Sequence, residues 1–433
     1  MIKFEEIKIK YKEDLLLFAE KFEIKKGEKI FLTGSSGQGK TLFLRYLGGF
    51  LDFFPELKKE GLVFLKDEKK DYQTYCDNNF DSFYIGQDAE NFVTGVFCED
   101  ELITFCQGED YNVCAMKASK FIADNKPFFK DKKISTLSHG ELQELLFFTA
   151  FLSQKNLILL DEPFARLDKY EREKVSRFID SMVEKGKTVI VAGHGIELFH
   201  LDFDRLFELK DSKISKIVKK DISKRFFDLR SKSRELKEIV SDETTLIEAK
   251  EIEYFYEDKN LFNDLDLEIK KGEIIAFSGI NGCGKTTLGK IVAGEIKPKT
   301  GKLINNGAKV IFTGSFPDYH FLYGNLFEEI SFMDKEKKET FLNNLDFQIE
   351  DKYHTQLSFG QKMRFLIYMY ASIDYDVYIF DEIFSGQDME NIYNLMLLFN
   401  ELKRSGKSII VITQDTLISR MIADKTINVE DFK

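Results

Sequence analysis

The same ordered series of short motifs occurs twice in this chain of 433 residues. Each copy contains a glycine-rich loop, a Leu-Ser-x-Gly segment and an apolar run that ends in Asp-Glu. Matching positions in the two copies lie 220 residues apart; the pairs are Ser138 and Ser358, Glu162 and Glu382, and His194 and Gln414. Because a whole series repeats in register, we expect two similar domains in one chain.

Composition supports two folded domains and argues against several partner classes. Hydrophobic residues make up 43% of the chain and charged residues 32%, which is typical of folded domains. The formal charge of −11 gives the chain no general attraction for a nucleic-acid backbone or an anionic lipid surface. Five cysteines without a Cys-x-x-Cys pair indicate reduced thiols and no zinc site.

We also expect the chain not to cross a bilayer by itself. Its N-terminus is too charged for a signal peptide. The longest uncharged apolar stretches, such as 145–154, are about half the roughly 20 residues that a membrane span requires.

Patterning along the chain predicts the α/β fold class. In each half, strand-like segments and a Lys-Gly-Glu turn are followed by an apolar run, the glycine-rich loop and helical spacing. Short buried-strand runs then alternate with helical patterns, which favours a mostly parallel sheet. We place the first domain at 1–209, a charged linker at 210–242 and the second domain at 243–433. Part of the linker fits an amphipathic helix. The first domain has about 25 additional residues, mostly around 50–83.

The glycine-rich loops have the Gly-x-x-x-x-Gly-Lys-Thr pattern of phosphate-binding loops. Their glycines allow backbone N–H groups to converge on phosphate oxygens, the lysine adds charge, and the threonine hydroxyl can bind Mg²⁺. The first loop consists of Gly34, Ser35, Ser36, Gly37, Gln38, Gly39, Lys40 and Thr41. The second consists of Gly279, Ile280, Asn281, Gly282, Cys283, Gly284, Lys285, Thr286 and the adjacent Thr287.

Two carboxylates follow a buried strand in each half. Asp161 and Asp381 can hold Mg²⁺, and the adjacent Glu162 and Glu382 can polarise an attacking water molecule. On its own, this pattern also fits the solvated end of a strand. The phosphate loops upstream favour the catalytic interpretation.

Together these residues resemble the ATP-binding cassette (ABC) family over nearly the whole chain outside the linker. Residues 357–361, Leu-Ser-Phe-Gly-Gln, match the signature segment that distinguishes this family from other phosphate-loop proteins. The resemblance implies two tandem P-loop domains, each with a mostly parallel sheet, an antiparallel β part and a helical subdomain, that use ATP and Mg²⁺. It also implies adenine stacking by Tyr11 and Tyr256, although each fits an ordinary strand aromatic nearly as well, and it assigns Asp168 and Asp388 to the D-loops.

In the family, two ATP-binding halves pair head to tail, so each phosphate loop meets the signature segment of the other half. The resemblance therefore implies two composite sites within this chain. Site one would combine Lys40, Thr41, Gln87, Asp161, Glu162 and His194 with Ser358, Gly360 and Gln361. In these roles, Gln87 serves Mg²⁺, Glu162 orients water and His194 stabilises the γ-phosphate.

Site two would combine Lys285, Thr286, Asp381 and Glu382 with Ser138, Gly140 and Glu141. It departs from the family pattern at three positions. Ser315 falls where the magnesium-linked glutamine is expected, Gln414 cannot become a cation as histidine can, and Glu141 brings negative charge near a phosphate. We predict that site one hydrolyses ATP and that site two mainly binds it. Because Lys285 and Glu382 are retained, turnover at both sites is the alternative.

Residues 84–102 resemble the Q-loop region of energy-coupling factor ATPases. Gln87 is followed by Asn91 and then by an acidic segment at 99–101. The resemblance implies an importer of a vitamin or metal ion, with a membrane scaffold and a substrate-binding subunit as separate chains. This chain would lie on the cytosolic face of the membrane. A generic acidic surface helix is the alternative interpretation of the segment.

Two other classes of function remain open from the sequence. Tandem cassettes occur in translation and repair factors that work away from membranes, although the acidic chain and short linker argue against nucleic-acid binding. A regulatory protein that uses ATP only to clamp a partner is the third possibility. Steady ATP turnover would count against the clamp.

Overall fold

The computed structural model describes residues 2–65, 68–78, 81–87, 89–104, 110–165, 167–195, 201–236, 242–256 and 259–433. Asp88 and Cys106, together with 237–241 of the expected linker, lie outside these residues. The chain divides into two compact units, Met1–Ser223 and Lys224–Lys433.

The first unit alternates strands and helices. Its strands are β1 (Ile2–Tyr11), β2 (Asp14–Ile24), β3 (Lys29–Thr33), β4 (Leu57–Leu65), β5 (Glu68–Asp71), β6 (Ser82–Ile85), β7 (Leu157–Asp161), β8 (Thr188–Gly193), β9 (Arg205–Lys210) and β10 (Lys213–Ile217). Its helices are α1 (Lys40–Gly48), α2 (Tyr72–Asn78), α3 (Cys98–Ile103), α4 (Tyr111–Asn125), α5 (His139–Leu152) and α6 (Lys169–Glu184).

One mixed sheet organises the first unit, in the order β5-β4-β1-β2-β10-β9-β3-β8-β7-β6. Strands β3, β6, β7 and β8 run parallel, whereas β1, β2, β4 and β5 pair antiparallel. Every residue of β7 and β8 is buried, as expected for central parallel strands covered on both faces. Parallel pairing brings the ends of β6, β7 and β8 to the same edge, where the candidate site lies.

The additional residues of the first half form β5 and α2 and contact the helix that follows the first phosphate loop. The Tyr72 hydroxyl donates to the Tyr46 carbonyl oxygen at 2.9 Å, and the Tyr75 hydroxyl donates to the Leu47 carbonyl oxygen at 2.5 Å. The rings of Tyr46 and Tyr72 stack with centroids 4.0 Å apart. The last carbonyl groups of a helix have no partner within the helix. These tyrosines therefore satisfy the C-terminal end of α1.

Helix α7 (Lys219–Leu236) spans the boundary between the units, and the second unit follows it. The strands of the second unit are β11 (Thr245–Tyr256), β12 (Lys259–Lys270), β13 (Ile274–Ser278), β14 (Thr300–Asn305), β15 (Val310–Thr313), β16 (Val377–Asp381), β17 (Ser408–Ile412) and β18 (Lys425–Asn428). Its further helices are α8 (Lys285–Val292), α9 (Leu326–Glu329), α10 (Lys335–Asn344), α11 (Phe359–Ala371), α12 (Met389–Arg404) and α13 (Thr416–Ile422).

The second unit separates its parallel and antiparallel strands into two sheets. A five-stranded parallel sheet has the order β15-β16-β17-β13-β18, and an antiparallel sheet has the order β12-β11-β14. Strands β13, β16 and β17 are buried throughout. The predicted α/β fold, with a large sheet and a helical part, is confirmed.

The segment expected to be a linker contains regular structure. Strand β10 pairs with β9, so the first sheet extends to Ile217, beyond position 209. Helix α7 is amphipathic, with Ile222, Phe226 and Leu229 buried at helical spacing. None of the helices in the described part of the chain is long and apolar enough to span a membrane.

Candidate nucleotide sites

The first phosphate loop connects β3 to α1. Gly37 and Gly39 have φ angles of 79° and 98°, in the left-handed region that glycine adopts without strain. Helix α1 begins at Lys40, so its first N–H groups face the loop. The Lys40 ammonium donates to the carbonyl oxygens of Gly34 at 2.7 Å and Ser35 at 3.2 Å. The lysine charge is thus held inside the loop.

A hydroxyl and a carboxylate meet beside this loop. The Thr41 hydroxyl donates to Asp161 Oδ2 at 2.6 Å, and the Tyr84 hydroxyl donates to the same oxygen at 3.0 Å. Asp161 Oδ1 is buried and has no hydrogen-bond partner among the described residues. Burial, followed by the charge of Glu162, raises the pKa of Asp161, whereas the hydroxyl donors lower it. The free oxygen is available for a cation.

Glu162 carries the second carboxylate, and both of its oxygens have close neighbours. His194 Nε2 lies 2.8 Å from Glu162 Oε1, and the Gln87 amide donates to Glu162 Oε2 at 3.0 Å. The backbone of Glu162 has a φ of 52°, which is uncommon outside glycine and costs free energy. Its N–H donates to the Ala192 carbonyl oxygen at 2.9 Å. Glu162, Gln87 and His194 thus converge in the first unit.

The second phosphate loop repeats the geometry of the first. Gly282 and Gly284 have φ angles of 73° and 108°, and α8 begins at Lys285. The Lys285 ammonium donates to the carbonyl oxygens of Gly279 and Ile280, both at 2.9 Å. Both loops therefore retain the backbone form suited to a phosphate.

The hydroxyl and carboxylate beside the second loop differ from those beside the first in one hydrogen-bond donor. The Thr286 hydroxyl donates to Asp381 Oδ2 at 2.8 Å, and Asp381 Oδ1 is buried without a hydrogen-bond partner among the described residues. Burial raises the pKa of Asp381 to about 6. Phe312 lies in β15 where β6 has Tyr84, because both strands pair in the same register with the following Asp-Glu strand. The second aspartate therefore lacks the tyrosine donor.

Glu382, the second expected catalytic carboxylate, has the same strained backbone as Glu162, but the residues at the neighbouring motif positions differ. Glu382 has a φ of 53°, and its N–H donates to the Ile412 carbonyl oxygen at 2.9 Å. Ser315 lies two residues beyond β15, as Gln87 lies two residues beyond β6. Gln414 stands two residues beyond β17, and its Oε1 is buried without a hydrogen-bond partner among the described residues.

The two signature segments begin helices and differ at their third and last residues. In the first segment (137–141), Glu141 Oε2 accepts from the Ser138 hydroxyl at 3.0 Å and from the Ser138 N–H at 2.8 Å. In the second segment (357–361), Gln361 Oε1 accepts from the Ser358 N–H at 3.0 Å. Both serines cap their helices. Glu141 thus engages the Ser138 hydroxyl in a hydrogen bond and places a carboxylate beside it.

Tyr11 and Tyr256, the expected adenine-stacking residues, end strands β1 and β11 and are both exposed. Exposure leaves a ring face open, but it is also compatible with an ordinary strand aromatic. Their role stays a prediction.

The contact of Tyr84 with Asp161, 77 positions later, was not predicted from the sequence. Tyr84 begins the segment 84–102, but the Q-loop resemblance of that segment gives the tyrosine no role. We expect Tyr84→Phe to move the acidic limb of the pH–rate profile to higher pH. The phenol stabilises the Asp161 carboxylate, so its loss raises a pKa that burial has already raised. The measurement is ATPase rate from acidic to neutral pH, with exposed Tyr170→Phe as the control. Identical profiles would contradict the prediction.

The residues fit MgATP. Each unit places a threonine hydroxyl against an aspartate whose other oxygen meets no hydrogen-bond donor from the described residues, and Mg²⁺ prefers such oxygen ligands. When bound, Mg²⁺ neutralises charge that develops on the phosphates. In the first unit, Thr41 and Asp161 would hold the ion, Lys40 would bind phosphate oxygens, and Glu162 can orient a water molecule. These features define a P-loop nucleotide-binding protein with two phosphate loops.

Comparison with known proteins specifies the family. The family model described as ABC transporter matches residues 18–165 and 262–385. A proposed ABC transporter ATP-binding protein of Treponema denticola is 24% identical over 94% of this chain and 90% of its own length. A similarly described protein of Methanosarcina mazei is 25% identical, over 95% and 89%. The chain therefore belongs to the ABC transporter family, whose domains hydrolyse ATP with Mg²⁺.

Solved structures show the same two-domain fold. RNase-L inhibitor has a TM-score of 0.66 and 22% identity, over 95% of this chain and 85% of that chain. An archaeal ribosome recycling factor, in complex with a ribosomal stalk protein, has a TM-score of 0.67 and 23% identity, over 95% and 84%. At these identities the likeness concerns the fold alone.

Proposed function

We propose that this chain is the ATP-hydrolysing subunit of an ABC transporter whose membrane subunits are separate chains. It would lie on the cytosolic face of the membrane. The proposal is supported by relatives described as transporter ATP-binding proteins along nearly the whole chain. The observation that carries it is a group of exposed apolar side chains in each unit. In the first unit this group follows Gln87 in sequence, and in the second it follows Ser315.

In the second unit these side chains lie in residues 316–332, which we call the exposed aromatic segment. Its exposed members are Phe316, Tyr319, Leu322, Tyr323, Phe327 and Phe332. Tyr319 and Leu322 are 86% and 84% exposed. Concentrations of exposed large apolar side chains mark partner-binding surfaces. A cytosolic segment of the membrane scaffold, with an apolar face, is the partner we propose for it.

The first unit also has exposed apolar side chains between β6 and its signature segment: Val96, Phe97, Tyr111, Val113, Met116 and Phe128. The acidic segment at 99–101 holds the loop that carries Val96 and Phe97. Glu101 is fully buried, and its Oε2 accepts from the N–H groups of Thr94 at 2.7 Å and Gly95 at 2.8 Å. The Asp100 carboxylate accepts a hydrogen bond from the Phe97 N–H at 3.0 Å. These contacts favour an anchoring role for the acids over a generic surface helix.

The finer assignment, an energy-coupling factor importer of a vitamin or metal ion, rests on the resemblance of 84–102. We propose it for that reason, with a scaffold and a substrate-binding subunit as partners. The competing function is a soluble tandem ATPase of the translation or repair type. The likeness in fold to an archaeal ribosome recycling factor is the observation on its side.

We also propose that the two units pair head to tail, so that each phosphate loop is completed by the other unit's signature segment. Site one would then join Lys40, Glu162 and His194 to the second signature segment. Site two would join Lys285 and Glu382 to the first segment, with its Glu141 carboxylate on the Ser138 hydroxyl. Three departures from the family pattern thus fall on one site, and we propose that this site mainly binds ATP.

The experiment is affinity isolation of the tagged full chain in mild detergent. We expect a polytopic membrane protein to co-purify, and we expect the double variant Tyr319→Ser with Leu322→Ser to lose it while ATPase activity of the isolated chain is unchanged. Val218→Ser, at another exposed apolar position, serves as the matched control and should retain the partner. Recovery of ribosomes or nucleic acid without a membrane protein would favour the soluble function.

A further inference from the structure

A buried polar chain joins the second signature segment to the turn that precedes α12. Arg364, in α11, is 2% exposed and donates to both carboxylate oxygens of Asp346 at 3.1 Å. Its remaining nitrogen, Nη1, donates to Gln387 Oε1. Gln387 is also 2% exposed, and its amide donates to the Gly360 carbonyl oxygen at 3.0 Å. The signature backbone is thus tied through one glutamine to an ion pair whose arginine is buried and whose aspartate is exposed.

Backbone contact reinforces this link. A Cβ atom on Gly360 would lie only 2.5 Å from the Gly386 carbonyl oxygen, so only glycine fits there without displacement of the turn. Gly386 has a φ of 68°, in the left-handed region. The turn continues into Asp388, which caps α12 by accepting from the Asn391 N–H at 2.9 Å. The signature segment therefore rests against an ordered turn.

The first unit has the ion pair with its charges exchanged. Lys126 donates to Glu144 Oε2 at 2.7 Å, and these residues lie 220 positions before Asp346 and Arg364. Leu167 occupies the position of Gln387 and has no polar side-chain atom. In place of the glutamine and arginine link, a cavity of about 260 Å³ lies beside the first signature segment. Its lining includes Lys126, Ser138, Gly140, Glu144 and Leu167.

We propose that Gln387 is a positioning residue that fixes Ser358 and Gly360 for the γ-phosphate of ATP. This proposal rests on the head-to-tail sites proposed above. A preorganised donor is more effective than one that must be ordered when the nucleotide binds. Site one would therefore contain a signature segment that Gln387 holds in place. The signature segment at site two would lack this support. ADP has no γ-phosphate, so its binding should not depend on Gln387.

The test replaces Gln387 with leucine in the full chain, since leucine stands at the matching position of the first unit. We expect turnover and the affinity for a non-hydrolysable ATP analogue to fall about tenfold, the effect of one lost hydrogen bond to a charged network. ADP affinity should stay unchanged. Hydrogen–deuterium exchange of the peptide covering 357–364 should become faster. Leu167→Gln is the matched control, because no arginine stands opposite it, and it should change none of these quantities.

A second variant guards against simple misfolding. Asp346→Lys combined with Arg364→Glu reproduces the exchanged pair of the first unit, which keeps an ion pair and removes the arginine that binds Gln387. It should fold and show the same faster exchange at 357–364. Unchanged exchange in both variants would overturn the link itself, whatever the nucleotide sites do. Faster exchange with unaltered ATP affinity and turnover would instead overturn the role of Gln387 at the γ-phosphate and leave the head-to-tail pairing to be judged by the variants of Glu162 and Glu382.

Discussion

Glu162→Gln should lower the steady-state ATPase rate by about a hundredfold or more, whereas Glu382→Gln should change it by less than about threefold. The amide keeps the size of the carboxylate but cannot accept a proton from water. Glu162 has Gln87 and His194 at its two oxygens, at 3.0 and 2.8 Å. The matching positions near Glu382 hold Ser315 and Gln414, which offer a shorter side chain and no cation.

The pair of variants is its own control, because the substitution and the local backbone are the same in both. Glu162 and Glu382 have φ angles of 52° and 53° at the ends of equivalent strands. ATP binding by each variant, measured with a non-hydrolysable analogue, should match that of the original chain. Equal losses of turnover in the two variants would show that both sites hydrolyse ATP and would refute the asymmetry.

The second large effect concerns the buried lysines of the phosphate loops. We expect Lys40→Ala to remove one bound ATP per chain and to lower turnover by about a hundredfold, because a preorganised charge at the phosphates is lost. Lys285→Ala should also remove one bound ATP, yet lower turnover by less than about tenfold. Equilibrium binding of labelled ATP gives the stoichiometry, and a coupled assay gives the rate.

The comparison of these lysines separates binding from hydrolysis. Both ammonium groups donate to two backbone carbonyl oxygens of their own loops, so both substitutions remove similar local contacts. Circular dichroism and the thermal unfolding midpoint should therefore change alike. A chain in which Lys285→Ala stops turnover as completely as Lys40→Ala would require hydrolysis to depend equally on both loops.

The sequence predicted the parts of the site that lie within short motifs. The pattern that placed Thr41 and Asp161 at one metal site agrees with oxygen atoms 2.6 Å apart, and Thr286 and Asp381 repeat this at 2.8 Å. Such motifs are readable because a loop, a helix start and a strand end impose residue types locally. The α/β class followed from the same regular alternation. Residue roles in catalysis stay predictions.

The sequence did not reveal contacts that depend on tertiary neighbours. Tyr84 meets Asp161, and Gln387 joins Arg364 to Gly360, through elements that pack side by side without a shared motif. The left-handed backbone of Glu162 was also unpredictable, since glutamate has no preference for that region. The domain boundary predicted at 209 shows the same limit. A charged composition suggested a linker after it, but pairing with β9 makes 213–217 a strand.

The tyrosine support of α1 makes the two halves of the chain non-interchangeable. It is built from residues that only the first half has room for, because 98 positions separate Lys40 from Ser138 but 73 separate Lys285 from Ser358. A symmetric dimer of second halves would leave both phosphate-loop helices without Tyr72 and Tyr75 at their carboxyl ends. A dimer of first halves would lack the hydrogen bond from glutamine to signature backbone that Gly360 receives in the second half. Because the two halves are joined in one chain, every molecule contains one half with the tyrosine support and one half with the glutamine hydrogen bond.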